Sequence, residues 1–552
     1  LHGREHSFPT RRSSDLAERI EVVRGAATLR YGSQAIGGVV NAISQRVPSR
    51  LPDAVFGAEL VGGYNTGAEG RDFAGQANAR AGRMAWHADA FTRHAGDYDT
   101  PEGEQANSWL RAKGGALGGS WIGEDDRLGL GVIRHESKYG IPGEDAYIDM
   151  HQTKLMLRSS FGLDAGAWRA LTVDGGWADY AHSERDDTGA ALSTFKDREW
   201  DARAEAVAGR WGALSESALG VQFQQRDFSA LGEGQEYLLP TTTKSQAVFG
   251  FAEAPLGETL RLQFGARVEW VQVDGTAPDD TDVSRKFTPT SASAGLVSDL
   301  SDEWRLGLSL STAARAPAQT ELFARGPHEG PLTYETGDPT LRTERANSIE
   351  ASLRWRGGRV HADGAVWATR FSNYIYGDLT GLTCDEDGNC AVGNGEDLKE
   401  MFFTQGDARF VGAEAHAEIE LLQNAMGDLH LNLLADVVRA KLANGAGDVP
   451  RIPPYHVGAG LSWHGERVDA SVFVKYAGRQ SRIAAAETPT GAFTNVDAQL
   501  ALRPWADKPH VEFALVGRNL TDSAQRNAVA LNKDEVMLPG RDIRLMIRAK
   551  LD

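Results

Sequence analysis

Cysteine is nearly absent: Cys384 and Cys390 are the only two among 552 residues. Neither a disulfide-built fold nor a thiolate metal cluster is available, and at most one bridge can form. No run of about 18 or more apolar residues occurs, which removes transmembrane helices. A soluble protein remains, or a barrel that crosses lipid with strands. Positive charge is in deficit, with 76 Asp and Glu against 58 Lys and Arg and a net charge of −18. The chain as a whole repels a polyanion, so nucleic acid is not expected as a partner. Catalytic signatures are missing too. There is no Gly-x-Ser-x-Gly elbow, no His-Glu-x-x-His zinc helix, no phosphate-cradling Gly-x-x-x-x-Gly-Lys and no dinucleotide fingerprint. No enzyme activity and no cofactor are expected. At 41% hydrophobic and 24% charged residues, the chain is not intrinsically disordered.

What is present is alternation. In Arg305–Ala313, Leu306, Leu308 and Leu310 share one face, and Arg305, Gly307, Ser309 and Ser311 share the other. Arg261–Val271 repeats this, with Leu262, Phe264, Ala266, Val268 and Trp270 opposing Gln263, Gly265, Arg267 and Glu269. Leu429, Leu431 and Leu433 oppose His430 and Asn432, and Ile543, Leu545 and Ile547 oppose Arg544, Met546 and Arg548. A soluble sandwich also alternates, so length and number decide. Turn signals mark about 22 candidate strands, many longer than the roughly 5 or 6 residues of soluble strands and long enough for the 9 to 11 that a tilted crossing needs. So much apolar face exceeds one sandwich core but suits an outer-membrane sheet that shows it to lipid and keeps polar groups inside. A propeller would show a repeat of about 40 to 50 residues, and none is found. The expected fold is therefore all-β, a transmembrane antiparallel barrel of about 22 strands. Trp121, Trp270, Tyr374, Tyr376 and Tyr476, near strand ends, are expected in the interfacial girdles.

The N-terminal residues differ from the rest. His6–Asp15 resembles the translation of a sequencing-adapter oligonucleotide, and residues 1–16 are set aside as foreign to the fold. Residues 17–50 then hold short apolar runs among small residues and glycines, and residues 51–552 carry the alternation.

These features resemble the TonB-dependent outer-membrane receptors, which join an N-terminal plug to a 22-stranded barrel. Ile20–Ser44 (IEVVRGAATLRYGSQAIGGVVNAIS) is similar to the end of the family's plug, through Arg24-Gly25, Tyr31-Gly32, Gly37-Gly38 and Asn41. Ala314–Leu353 resembles the receptor pattern Arg-x-Pro, Glu-Leu, Gly-Asp-Pro-x-Leu and Glu, and Val516–Asp522 (VGRNLTD) resembles a turn near the family's C-terminus. The resemblance implies a bacterial outer-membrane importer, driven by the TonB complex, surrounded by lipid, monomeric, and carrying a scarce metal ion or metal chelate. It also implies that residues 17–50 are only the last part of a plug. A passive porin is the rival reading, and an outer-membrane enzyme a more distant one.

Two donor-rich segments are the candidate cargo loops. His135–His151 offers His135, Glu136, Glu144, Asp145, Asp149 and His151, and Gly326–Asp338 offers His328, Glu329, Tyr334, Glu335 and Asp338. Imidazole with carboxylate suits zinc or another borderline divalent ion. Both segments resemble loops of receptors related to the bacterial zinc-uptake receptor, in YGIPGE–IDM, ARGPHEG–TYETGDP and FTQGDARFVGAEA. Some relatives carry a His-rich insertion between Pro-Gly and Ile-Asp-Met, where this chain has only Glu-Asp-Ala-Tyr. That short interval weakens zinc as the cargo; zinc and a ferric siderophore remain the foremost expected candidates, with cobalamin or a carbohydrate left open. In CDEDGNCAVGNGE, Asp385, Asp387, Asn389 and Glu396 fall at calcium-loop spacing, but Cys390 stands where such a loop needs glycine. A Cys384–Cys390 disulfide closing a hairpin tip is the expectation there.

Overall fold

The structure, a computed structural model, describes residues 19–23, 29–33, 36, 38–393, 398–505 and 510–551. Its body is a closed antiparallel barrel of 22 crossing strands, from Phe56–Asn65 to Asp542–Leu551. The first strand pairs with the last, from Ala58 opposite Leu551 to Asn65 opposite Arg544, so no crossing strand keeps an open edge. The expected architecture is the one formed. At one end the connections are mostly tight, as at 82–83, 166–167, 358–359 and 425–426; at the other they include 96–109, 316–343 and 519–541. Short turns on the periplasmic side and long loops outside are the rule for such barrels, which orients the molecule.

Burial is inverted relative to a soluble sheet. On strand Leu260–Thr276, Phe264 and Trp270 are 44% and 50% exposed, while Arg267 and Glu269 are 3% and 6% exposed. Arg267 answers its burial by donating to Glu269 Oε2 at 2.8 Å and to Gln222 Oε1 at 3.1 Å. An apolar exterior over a charged interior is stable only when hydrocarbon lies outside, because a Lys or Arg facing mid-bilayer costs about 2–4 kcal/mol. Trp121, Trp270 and Tyr476 do stand on the outer face. Tyr374 and Tyr376 do not serve as girdle residues. A bulge between Phe371 and Tyr374, with Asn373 at φ 55°, shifts the register, and Tyr374 packs against Phe371 and Phe410 in a cluster with Ile36; Tyr376 stacks on it at 6.0 Å.

Ahead of the barrel, Arg19–Val23 and Val39–Ile43 form a two-stranded antiparallel sheet, with Glu21 opposite Asn41. Arg30 pairs with Glu205 on the wall, and Arg203 donates to the Arg30 carbonyl. The chain then leaves along the inner wall. Arg46 makes two bonds to Asp89, at 2.9 and 3.1 Å, and Val47 is buried. A side chain at Gly118 would collide with the Arg46 carbonyl, and one at Gly131 would meet Val47 at 2.9 Å. Of the plug motif, Tyr31, Gly32, Gly38 and Asn41 are placed, whereas Arg24, Gly25 and Gly37 lie outside the described residues.

Candidate functional site

The first donor segment is mostly wall rather than loop. Strand Arg127–Gly140 runs through His135 and Glu136, strand Tyr147–Ala165 through Asp149 and His151, and only residues 141–146 connect them. Alternation then separates the donors. Glu136 shares the outer face of Leu130 and Val132 and pairs with Arg134 at 3.1 Å and Lys113 at 3.2 Å. Asp149 and His151 share the outer face of Leu155, and Asp149 meets Lys138 at 2.9 Å and Arg185 at 3.4 Å. His135 faces the lumen, stacked on Phe91 at 5.6 Å. Glu144 and Asp145 sit in the short connection, which Asn107 pins by donating to the carbonyls of Ile141, Glu144 and Ala146.

The second segment belongs to a long loop that folds into the barrel mouth, and the motif residues around it are its anchors. Arg315 donates to both oxygens of Glu321, at 2.9 and 3.0 Å, and to both of Glu344, at 3.2 and 3.1 Å. Glu344, 2% exposed, also accepts from the Ile375 amide. Leu322, Phe323 and Leu341 are fully buried in the cluster beneath. A side chain at Gly337 would strike the Leu322–Phe323 backbone at 2.6 Å. Asp338 caps the following turn, accepting from the Thr340 amide and hydroxyl at 2.7 and 2.6 Å.

Within this loop, Arg325–His328 pairs antiparallel with Thr333–Thr336, which sets His328 opposite Thr333. Glu335, 4% exposed, is the centre. It accepts from Thr333 Oγ1 at 2.9 Å and Tyr237 Oη at 3.0 Å, and lies 3.0 Å from His328 Nδ1. Burial alone would raise the Glu335 carboxyl, but the bonds from His328, Thr333 and Tyr237 outweigh it and hold the group below the usual carboxylate range. Tyr237 is pushed the other way, by burial and by the Glu335 charge. The His328 ring lies 4.4 Å from that of Tyr237 and is 39% exposed, so Nδ1 is held and the other side of the ring opens to the mouth. Beside it, burial and the charges of Glu144, Glu386 and Glu233 push the Glu329 carboxyl up to about 7, against the pull of His328. Glu144 and Glu329 therefore bring the two segments together, whereas Glu136, Asp149 and His151 stay on the outer wall. Tyr334 turns to the cysteine hairpin, where only glycine at 388 leaves room for its hydroxyl.

Tyr237, Glu233 and His182 belong to this mouth and were not singled out from sequence. Tyr237 ends a four-residue helix, Gly234–Tyr237, that carries no motif. His182 stacks on Phe195 at 4.9 Å and bonds Tyr180 Oη at 3.0 Å; the run Tyr180, His182, Glu184 on one strand face was its only signal. Cys384 and Cys390 are bonded to each other. Among the described residues, the one set of three His, Cys, Asp or Glu donors mutually within 4.8 Å is Cys384, Cys390 and Glu400, and its sulfurs are not free thiolates. Asp385 is occupied by Asn389, which donates its amide and side chain at 2.7 and 2.9 Å; Glu396 lies outside the described residues.

A membrane barrel with a wall-anchored plug segment and a carboxylate-rich mouth defines a plugged outer-membrane receptor. The family described as TonB dependent receptor-like, beta-barrel, matches residues 62–520, and the TonB-dependent receptor plug domain matches residues 2–39, beginning inside the segment set aside above. The chain belongs to the TonB-dependent receptors and is a Gram-negative outer-membrane protein. Similar folds include a copper transporter, OprC (TM-score 0.85, 17% identity, 98% of this chain and 86% of that one). The FrpB iron transporter of Neisseria meningitidis follows (0.77, 15%, 98% and 88%), with the siderophore receptor PirA of Pseudomonas aeruginosa (0.71, 13%, 97% and 87%).

Proposed function

We propose that this receptor carries a metal ion or small metal chelate into the periplasm and takes it first at the mouth formed by His328, Glu329, Glu335 and Glu144. The observation that carries this reading is the His328–Glu335 pair. A buried carboxylate on Nδ1 fixes the ring and its tautomer, the arrangement found behind metal-binding imidazoles. The surrounding Glu144, Glu233, Glu329 and Glu386 favour a cation over an anionic ferric chelate. A divalent ion such as zinc is accordingly the first cargo to test and a ferric siderophore the second, the latter supported by the ring cluster of Phe195, Phe228 and Tyr237 and by the iron and siderophore receptors of similar fold. The donors are spread around the mouth, so the ion would be gripped by side chains drawn together rather than by a ready cage.

Calorimetric titration of the purified receptor with Zn²⁺ and with ferric siderophores tests this. A zinc heat that disappears in His328→Ala supports the divalent reading. Tight siderophore binding with no zinc heat overturns it in favour of the chelate, and binding of neither overturns the metal reading.

A further inference from the structure

The outer wall carries a band of positive charge that the protein itself does not neutralise. Strands Val360–Cys384, Leu398–Asn424 and Gly427–Leu442 are consecutive neighbours. Their register sets Arg370 opposite Arg409, and Arg409 opposite Lys441. All three share the lipid-facing side of Val366, Val411 and Val437. Arg439, opposite Val411, stands one same-face step nearer the membrane. Like charges directly opposite one another destabilise a sheet, and the acids at hand do little to offset these. Asp407 lies 3.9 Å from Arg370, and Asp448 faces Lys441 across a single bridge. Among the described residues, the exposed side chains of Arg409, Arg439 and Lys441 have no ion-pair or hydrogen-bond partner.

The band stands where the hydrocarbon ends on the side of the long loops. Arg370 is 10 residues beyond the periplasmic start of its strand at Val360, and Lys441 is 14 beyond Gly427, whereas a tilted crossing takes about 9 to 11. Tyr455 and Tyr476, their rings 6.0 Å apart, mark the same boundary on the neighbouring strands. Below the band a trough of about 1020 Å³ opens toward lipid, and Arg439 lines its upper end. Its floor is low because small residues fall in register, Gly364 opposite Ala415 and Ala415 opposite Ala435. Exposed Leu353, Leu433 and Val457 wall its sides. A second trough, of about 1010 Å³, lies among Trp86, Leu130 and Trp177. The cations above that one, Lys113 and Arg134, are both taken by Glu136.

We infer that this face binds a phosphorylated glycolipid of the outer leaflet, an acylated disaccharide carrying two phosphates. The phosphates lie on Arg370, Arg409, Arg439 and Lys441, and the acyl chains lie in the trough. Guanidinium groups suit phosphate because they pair its oxygens bidentately. Two dimensions favour this lipid over one with a single phosphate and two chains. Arg370 and Lys441 are two strand spacings apart, about 10 Å, which is more than one phosphate spans. The trough runs from the strand of Leu353 to that of Val457, four spacings or about 19 Å, so it takes several chains side by side. The site does not depend on the cargo assigned to the mouth.

The test is a native mass-spectrometry titration of the full chain in detergent with three probes: a diphosphorylated acyl-disaccharide, the same molecule stripped of phosphate, and phosphatidylglycerol. The parent chain should hold one diphosphorylated glycolipid. Arg409→Gln combined with Lys441→Gln should weaken it about 30-fold, two cations' worth at an anionic lipid surface. Ala415→Trp, which fills the floor, should weaken it with every cation in place, whereas Lys113→Gln beside the other trough should change nothing. The double variant relieves like-charge repulsion and retains the fold, which heat-modifiable migration on a gel verifies. Equal affinity in the parent and the double variant, or equal affinity for the phosphate-free molecule, overturns the site. Phosphatidylglycerol bound as tightly as the glycolipid overturns the choice of lipid. A dimer of the parent chain that Ala415→Trp disperses overturns it as well, because a second copy then fills the trough.

Discussion

His135–His151 and Gly326–Asp338 are alike in composition and opposite in fate. The first runs up a strand, across a six-residue connection and down the next, so its donors point by turns to the lumen and to the exterior. The second is folded back on itself into the mouth, where a two-strand clasp brings His328 and Glu335 to 3.0 Å. A series of donors along a strand cannot converge on one ion, because successive side chains leave on opposite faces. Convergence requires a loop that has been turned inward and held there.

The hold is the place to break the comparison. Arg315→Ala would leave Glu321 and the buried Glu344 without their cation, a loss of about 3–5 kcal/mol for a buried network. Chemical denaturation should report this loss, together with rapid tryptic cleavage within 316–343. Arg134→Ala on the outer wall should cost no more than about 1 kcal/mol, the usual worth of an exposed pair; equal effects would show that Arg315 does not secure the loop. Next in size, Glu335→Gln should weaken zinc binding about 10- to 100-fold by releasing the His328 ring, while Glu136→Gln should leave the isotherm unchanged. The smallest effect is a pH slope. With its carboxyl at about 7, Glu329 is mostly neutral at pH 6 and mostly charged at pH 8, so zinc affinity should rise across that interval, and Glu329→Gln should flatten part of the rise by less than tenfold. The sign for stability is opposite. A carboxyl raised in the folded state holds its proton more tightly there than in the unfolded chain, so the ion-free receptor should lose stability as pH climbs from about 4.5 through 7.

The wall was legible in the sequence because alternation is local: Leu306, Leu308 and Leu310 announce a face without reference to any other strand. The solvent outside that face was legible only from strand number and length. Arg315, Glu321, Leu341 and Glu344 were visible as a motif, yet their work, anchoring an inward loop, depends on pairings across 29 residues that no spacing displays. Glu136 and His151 were read as loop donors because the segment is rich in acidic residues and histidines, although the strands on either side of residues 141–146 run through both positions. Tyr237 and Glu335 lie 98 residues apart, and only the closed ring makes them neighbours. The bulge ahead of Tyr374 likewise reverses a face that simple parity assigns outward.

The glycines at 118 and 131 give the molecule a fixed mechanical point. Because the backbone at Arg46 and Val47 is sunk into the wall itself, and Asp89 grips the guanidinium from beneath, traction applied upstream is carried sideways into hoops of interstrand bonding before it can reach Phe56. A single methyl at Gly118 would meet the Arg46 carbonyl and loosen that rivet without touching a charged group.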